Sequence, residues 1–273
     1  MAKVKLADIV AHCDHTLKPD SFEDWPGAVN GLQVENRGSV SRIAAAVDAT
    51  PATAKKAADE GADLLVVHHG LFWGKTHPWT GNRYKLLRLL LDNNIAVYSS
   101  HLPLDAHLRL GNNAGLCRAL GIRSPKPFFI ERGQAIGLRG ELEITRTSLA
   151  KCLAKATGCQ PTVLPGGAAR CKKIGVVTGG AGAEMKTAAD EGVDTFITGE
   201  GQHWTFALAE DLGLNVLYGG HYATETFGVK SLSESLAKKF KLPWVFIDHP
   251  TGCLLYTSPS PRDRTRSRMP SSA

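Results

Sequence analysis

The chain has 273 residues, 43% of them hydrophobic and 21% charged, with a formal net charge of +6. That length can bury a full core as one large domain or two small ones, and the composition is that of an ordinary globular protein. No apolar run approaches the roughly eighteen residues of a membrane span, and the opening MAKVKLADIV has no secretory pattern, so a cytoplasmic, non-membrane protein is expected.

The positive charge is unevenly placed. Arg262, Arg264, Arg266 and Arg268 stand against a single Asp263, so half of the net charge lies in the last twenty residues. The run from Cys253 to Asp263, CLLYTSPSPRD, reads codon for codon as a sequencing adapter translated in frame, and its Ser/Pro/Arg composition builds no core. Residues 253–273 are therefore expected to be an artefactual, disordered tail, and nucleic acid is not an expected partner. Cys13, Cys117, Cys152, Cys159, Cys171 and Cys253 show neither CxxC spacing nor the density of a disulfide scaffold.

Taken from the N-terminus, the chain repeats itself. Residues 57–61 and 188–192 both read AADEG, and around them Ile43 pairs with Ile174, Asp63 with Asp194, Gly70 with Gly201 and Trp73 with Trp204. In each copy an apolar strand, a helical stretch closed by Glu-Gly and a second apolar strand (LLVV or TFIT) follow one another, which predicts a βαβ unit. A second match pairs VYSSH at 97–101 with LYGGH at 217–221, and Asp105 with Glu225. Its shorter offset assigns extra residues to the first copy, placed in the turn-rich WGKTHPWTGNR. Between the copies a strand-like AIGLRGELEI, a helix-like SLAKCLAKATG and a turn at Pro165-Gly166-Gly167 are expected. The predicted fold is α/β: two related halves from an internal duplication, 1–125 and 126–252, each a mainly parallel or mixed sheet with flanking helices.

The chemistry-bearing residues cluster at predicted strand ends, where ligand sites of parallel sheets collect. His68 and His69 follow LLVV. Adjacent residues on an extended segment point in opposite directions, so both become ligands only when two metals, or a bent backbone, receive them, and Gly70 permits a bend. His101 follows AVYSS, and Pro103 suits the first turn of a helix that would carry Asp105 into the same mouth. His221 and Glu225, four apart, share a helix face. Four imidazoles and two carboxylates suit zinc, iron or manganese rather than a thiolate site, although solvated histidines satisfy the spacing as well. His12, His15, His77, His107 and His249 lack such partners and read as surface residues. In the second copy Gly199-Glu200 stands opposite His68-His69, so one site per chain is expected rather than two.

At these residues the sequence resembles the Nif-three-like dinuclear metal centre proteins, also called GTP cyclohydrolase I type 2 homologues. The resemblance is carried by NGLQVE at 30–35, VVHHGLFW at 66–73, SHLPLDAHLRLGNNAGL at 100–116, FITGE at 196–200 and GHYATETFGVKSL at 220–232. It implies two divalent cations per chain held by His68, His69, Asp105, His221 and Glu225, with Glu225 the first choice for a shared bridge and Asp105 the second. It also implies that His101 stands beside the metals, hydrogen-bonding water or substrate, and that the protein is a ring-shaped homohexamer. The implied function is a metal-dependent hydrolase that activates water for attack on a purine ring or a similar C–N bond, with a small-molecule substrate such as a nucleotide. The alternative is a metal-binding regulatory or protein-interaction factor without turnover. No GxxxxGK[ST] loop is present to cradle a triphosphate, and Gly179-Gly180-Ala181-Gly182 serves either phosphate approach or a simple turn.

Overall fold

The structure, a computed structural model, describes residues 3–251. The adapter-like run expected from Cys253 onward lies outside the described residues. Strand β1 (Val4–Lys5) enters helix α1 (Leu6–Leu17), which buries Leu6, Ile9, Cys13 and Leu17 at helical spacing. There follow β2 (Gly31–Val34), β3 (Ser39–Val40), β4 (Ile43–Asp48), α2 (Pro51–Asp59), β5 (Leu64–His69), α3 (Gly81–Asp92), β6 (Ala96–Ser99), the one-turn α4 (Leu102–Asp105) and α5 (Asn112–Leu120). The chain continues through β7 (Lys126–Glu131), β8 (Gln134–Thr145), α6 (Arg146–Thr157), β9 (Thr162–Pro165), β10 (Arg170–Val176), α7 (Met185–Asp190), β11 (Thr195–Thr198), α8 (Thr205–Asp211) and β12 (Asn215–Tyr218). It closes with the one-turn α9 (His221–Thr224), the long α10 (Thr226–Phe240) and β13 (Trp244–Phe246).

Two mixed sheets carry the molecule, as the α/β reading expects. The first has the order β13-β4-β5-β6-β2, its four neighbours from β13 to β6 parallel and β2 antiparallel at the edge. The second has the order β7-β8-β10-β11-β12-β9, with β10, β11 and β12 parallel and the others antiparallel. Helices connect the parallel strands, as such crossovers require. Leu64, Leu65, Val66 and Val67 are fully buried because both faces of β5 are covered, and each such side chain contributes about 1.5–3 kcal/mol by leaving water. Ile43 is set opposite Leu64, and Ile174 opposite Thr195, so the two βαβ units share a register 131 residues apart. The turn-rich insert falls in the loop between β5 and α3 and runs into the first residues of that helix.

The packing units differ from the sequence halves 1–125 and 126–252. Val229, Leu232 and Leu236 of α10 join Ile43, Leu64 and Val66 in the core of the first sheet, which β13 also extends. Leu116, Cys117 and Leu120 of α5 instead pack with Leu138, Ile174 and Val176 of the second. The one-turn helices α4 and α9 turn the chain off the strand ends, so each longer helix that follows buries its apolar stripe on the other sheet. Where α5 and α10 meet, a side chain at Gly115 would strike Phe227, and Gly228 N donates to Asn112 Oδ1 at 2.6 Å. The exchange brings the C-terminal ends of the parallel strands of both sheets to one place. Among the described residues no helix is long and apolar enough to cross a membrane.

Candidate metal centre

His68 and His69 end β5 with their rings 4.7 Å apart and tilted by 44°. Both therefore turn toward one centre rather than to opposite faces. The sequence reading credits Gly70 with permitting the bend through its freedom of φ. The structure gives another reason: Gly70 has no positive φ, and a Cβ there would strike the Gln33 side chain, whose Oε1 accepts from Leu71 N at 2.7 Å. Gln33 lies in β2, so the NGLQ motif braces the loop after the histidine pair. Asn30 does the same beyond β6, its Oδ1 accepting from His101 N at 2.7 Å.

His101 caps α4, and Asp105 ends it, 7% exposed. Asp105 Oδ1 accepts from Asn112 Nδ2 at 2.7 Å and from Thr178 Oγ1 at 3.3 Å, which turns Oδ2 to within 3.4 Å of His68 Nε2. Gly220, at φ +90°, sets the chain into α9, which brings His221 over Glu225. Glu225 is buried among the imidazoles. Its Oε1 lies 3.2 Å from His221 Nε2 and 3.6 Å from His68 Nε2, and its Oε2 lies 3.5 Å from His69 Nε2. His68, His69 and His101 each present a ligand atom within 4.8 Å of the others, and His69, His221 and Glu225 form a second such group. The structure thus brings all six singled-out residues together, and places His101 as near to the histidine pair as a ligand would be.

The outer nitrogen of each ring is held. His68 Nδ1 donates to Ser100 O at 2.9 Å, His69 Nδ1 to Asp48 Oδ1 at 2.8 Å, His101 Nδ1 to Asp24 Oδ1 at 2.7 Å and His221 Nδ1 to Glu200 Oε1 at 2.9 Å. Such contacts fix the tautomer and turn the basic Nε2 inward, as around bound metals. Asp24, Asp48 and Glu200 escaped the sequence reading. Asp48 had a signal, since it ends β4 in register with His69. Glu200 is the repeat counterpart of His69, while Asp24 sits in an irregular stretch with nothing to mark it.

Electrostatics favour cations here. His68 Nε2 and Glu225 Oε2 are buried without a hydrogen-bond partner, which is costly unless something satisfies them. Burial works against the charged form of Glu225, yet His69, His68 and His221 outweigh it and hold the carboxyl well below its usual range. Burial likewise lowers His221 and His68, but the facing carboxylates raise His221 to about 9 and His68 well above its usual value. With no cation bound, protons on His68 and His221 would offset the charge of Glu225. Two donors about 2.1 Å from one tetrahedral ion sit about 3.4 Å apart, close to the 3.2–3.6 Å spacings around Glu225. The donor set fits metal.

Two glycines close over the centre. A side chain at Gly179, which has φ +77°, would collide with Glu225 Oε1, and Gly180 lies against the His221 ring. These residues let the β10 loop lie on the carboxylate and imidazole, so their role here is close approach to the site itself. In front opens a cavity of about 520 Å³ reaching His69, His101, Asp105, His221 and Glu225, walled by Trp25, Trp73 and Phe129. A smaller one, about 310 Å³, reaches His69, His221 and Glu225 from the side of Asp48 and Glu200.

The chain is similar to known proteins over nearly all of its described length. The family described as Duf34/NIF3 (NGG1p interacting factor 3) matches residues 4–252. A Halobacterium salinarum protein named GTP cyclohydrolase 1 type 2 homolog is 42% identical over 253 residues, covering 90% of this chain and 99% of its own. One of the same name from Deinococcus radiodurans is 40% identical over 227 residues, covering 82% of this chain and 86% of its own. Among solved structures, TTHA1606 from Thermus thermophilus superposes with a TM-score of 0.84 at 40% identity, covering 91% of this chain and 100% of its own. Reduced HcgD from Methanocaldococcus jannaschii superposes with a TM-score of 0.81 at 28% identity, covering 91% of this chain and 100% of its own.

Proposed function

The chain belongs to the Duf34/NIF3 family, and on that premise we propose that it is a dinuclear metal-dependent hydrolase acting on a C–N bond of a purine ring or a similar heterocycle. The observation that carries this reading is Glu225, a buried carboxylate whose two oxygens face different imidazoles, as a bridge between two cations would need. His68, His69, Asp105 and His221 would complete the ligand set. Two divalent cations held there supply Lewis acidity and bring the pKa of a bound water toward neutrality.

The chain's own groups do the rest. Asp105 is oriented by Asn112 and Thr178, which both donate to its Oδ1. Asp24 would be raised by burial, but its hydrogen bond and charge contact with His101 bring it to about 2, so it is an anion at neutral pH. Held by that anion, His101 faces the cavity and can carry a proton to or from a bound heterocycle. Trp25, Trp73 and Phe129 offer apolar surface beside the reacting face. The relatives' name, GTP cyclohydrolase 1 type 2 homolog, supports ring hydrolysis as the chemistry to try first.

A second reading, a metal-binding interaction factor without turnover, draws on the family description and on exposed aromatic residues such as Trp204, 52% exposed in the loop before α8. A homohexameric ring is compatible with both readings, and light scattering tests it. Metal-loaded protein incubated with purine nucleosides and nucleotides, with formate release and loss of purine absorbance followed, separates the two. Ring opening that stops on chelation and returns with metal supports the hydrolase. Full metal occupancy without turnover on any purine contradicts it.

A further inference from the structure

The cavity in front of the metal centre is aromatic and acidic. Its lining includes Trp25, Trp73, Phe129, Glu131 and Glu184, and among the described residues it contains neither Lys nor Arg. Arg132 lies beside it with its guanidinium over Trp25 at 5.4 Å, its Nη1 donating to Asp24 O at 2.9 Å and Glu23 3.6 Å away, so its charge is already partnered. Burial holds the Glu184 carboxyl above its usual range, opposed by its own backbone hydrogen bond and aided to a smaller extent by the charge of Glu131.

The aromatic walls are fixed in place. Trp73 stands edge-on to His101 at 4.8 Å and to His69 at 5.5 Å. Phe129 is 2% exposed and adopts φ +62°, a left-handed conformation that bulky residues rarely take. The Glu191 carboxylate holds it there, accepting from Phe129 N at 3.1 Å and Ile130 N at 2.8 Å, and its ring lies parallel to Phe196. A strained, buried aromatic pinned at a cavity wall is the kind of backbone that persists where a ligand uses it.

Resting on the hydrolase reading for its orientation, we propose that this cavity selects an uncharged, flat nitrogen heterocycle without phosphate, a nucleobase or nucleoside, and rejects the corresponding nucleotide. The ring stacks on the aromatic walls with its reacting edge toward His101 and Glu225. Its ring and exocyclic N–H groups face Glu131 and Glu184, which accept from them. Apart from the metals, the described lining residues offer a phosphate on the sugar no cation, and the charges of Glu131 and Glu184 repel it, which discriminates against the nucleotide.

Equilibrium dialysis of the metal-loaded protein against guanosine, GMP and GTP tests this, with tryptophan fluorescence as a second readout. Guanosine is expected to bind at least about tenfold tighter than GMP, a difference of about 1.4 kcal/mol, and to quench Trp25 or Trp73. In a Glu131→Lys/Glu184→Lys variant, checked for unchanged metal content and melting temperature, the gap should close or reverse. The milder Glu131→Gln/Glu184→Gln pair should narrow it. GMP or GTP binding tighter than guanosine, an order that ignores both double substitutions, or no binding by any of the three at millimolar concentration overturns the proposal. Guanosine binding without ring opening contradicts only the hydrolase reading. Ring opening of GTP with a higher kcat/KM than guanosine contradicts only this one.

Discussion

His68 Nε2 stands 3.6 Å from Glu225 Oε1, too far for a hydrogen bond and the right spacing for two ligands of one cation, with both residues almost wholly buried. Each also keeps a buried polar atom without a partner, Nε2 on His68 and Oε2 on Glu225. Buried polar atoms without partners are costly in a hydrophobic core, and a bound cation would satisfy both.

Holding the imidazoles from behind should matter for affinity. Asp48→Ala frees His69 Nδ1 and Glu200→Ala frees His221 Nδ1. Each substitution should weaken metal binding about 10–100-fold. Competition against a fluorescent chelator measures this, and an unchanged dissociation constant in both variants would show that the carboxylates do not orient the rings.

His101 and Asp24 should separate turnover from occupancy. His101→Ala should retain both ions while slowing heterocycle hydrolysis by roughly 10²–10⁴-fold, the range of a lost acid–base group. Asp24→Asn should slow it less and move the acid limb of the pH profile. Since His101 lies within 4.8 Å of the histidine pair, metal analysis of His101→Ala decides its role: loss of an ion would make it a ligand.

The metal-free protein should show a characteristic pH dependence. His221 has a folded pKa of about 9 against an ordinary value of 6.5, through Glu225 and Glu200 acting against burial. A group raised on folding stabilises fully below its unfolded value and loses that contribution as pH rises through its folded value. Chelated protein should therefore lose thermal stability between about pH 6.5 and 9, and saturating metal should remove this slope by replacing the proton. A melting temperature of the metal-free protein that rises across this window would contradict the assignment.

Much of the candidate centre was legible in the sequence because its residues follow predicted strand ends, and because His101 and Asp105 have repeat counterparts in His221 and Glu225. His68, His69, His101, His221, Asp105 and Glu225 all lie where the two βαβ patterns predict a site. Asp24 was not legible, because its bond to His101 spans 77 residues and belongs to no periodic element. The exchange of α5 and α10 between sheets was also hidden. An amphipathic stripe states that a helix buries one face but not which sheet receives it, and here Gly115 and Gly228 allow a crossing that only the assembled structure displays. The role of Gly70 was misread for a related reason, since its constraint is the Gln33 side chain rather than its own φ.

Glu225 is proposed to join two cations in one centre. Two dications about 4 Å apart repel by roughly 17 kcal/mol even at an effective dielectric constant of about 20, and a carboxylate between them offsets much of this. Elemental analysis of wild-type, Glu225→Gln and His69→Ala proteins after identical metal loading tests the claim most directly. The account expects about two ions per wild-type chain, partial occupancy in His69→Ala, and at most one ion in Glu225→Gln, because a neutral amide cannot screen the pair. One ion per wild-type chain at saturation, or two retained in Glu225→Gln, would contradict it.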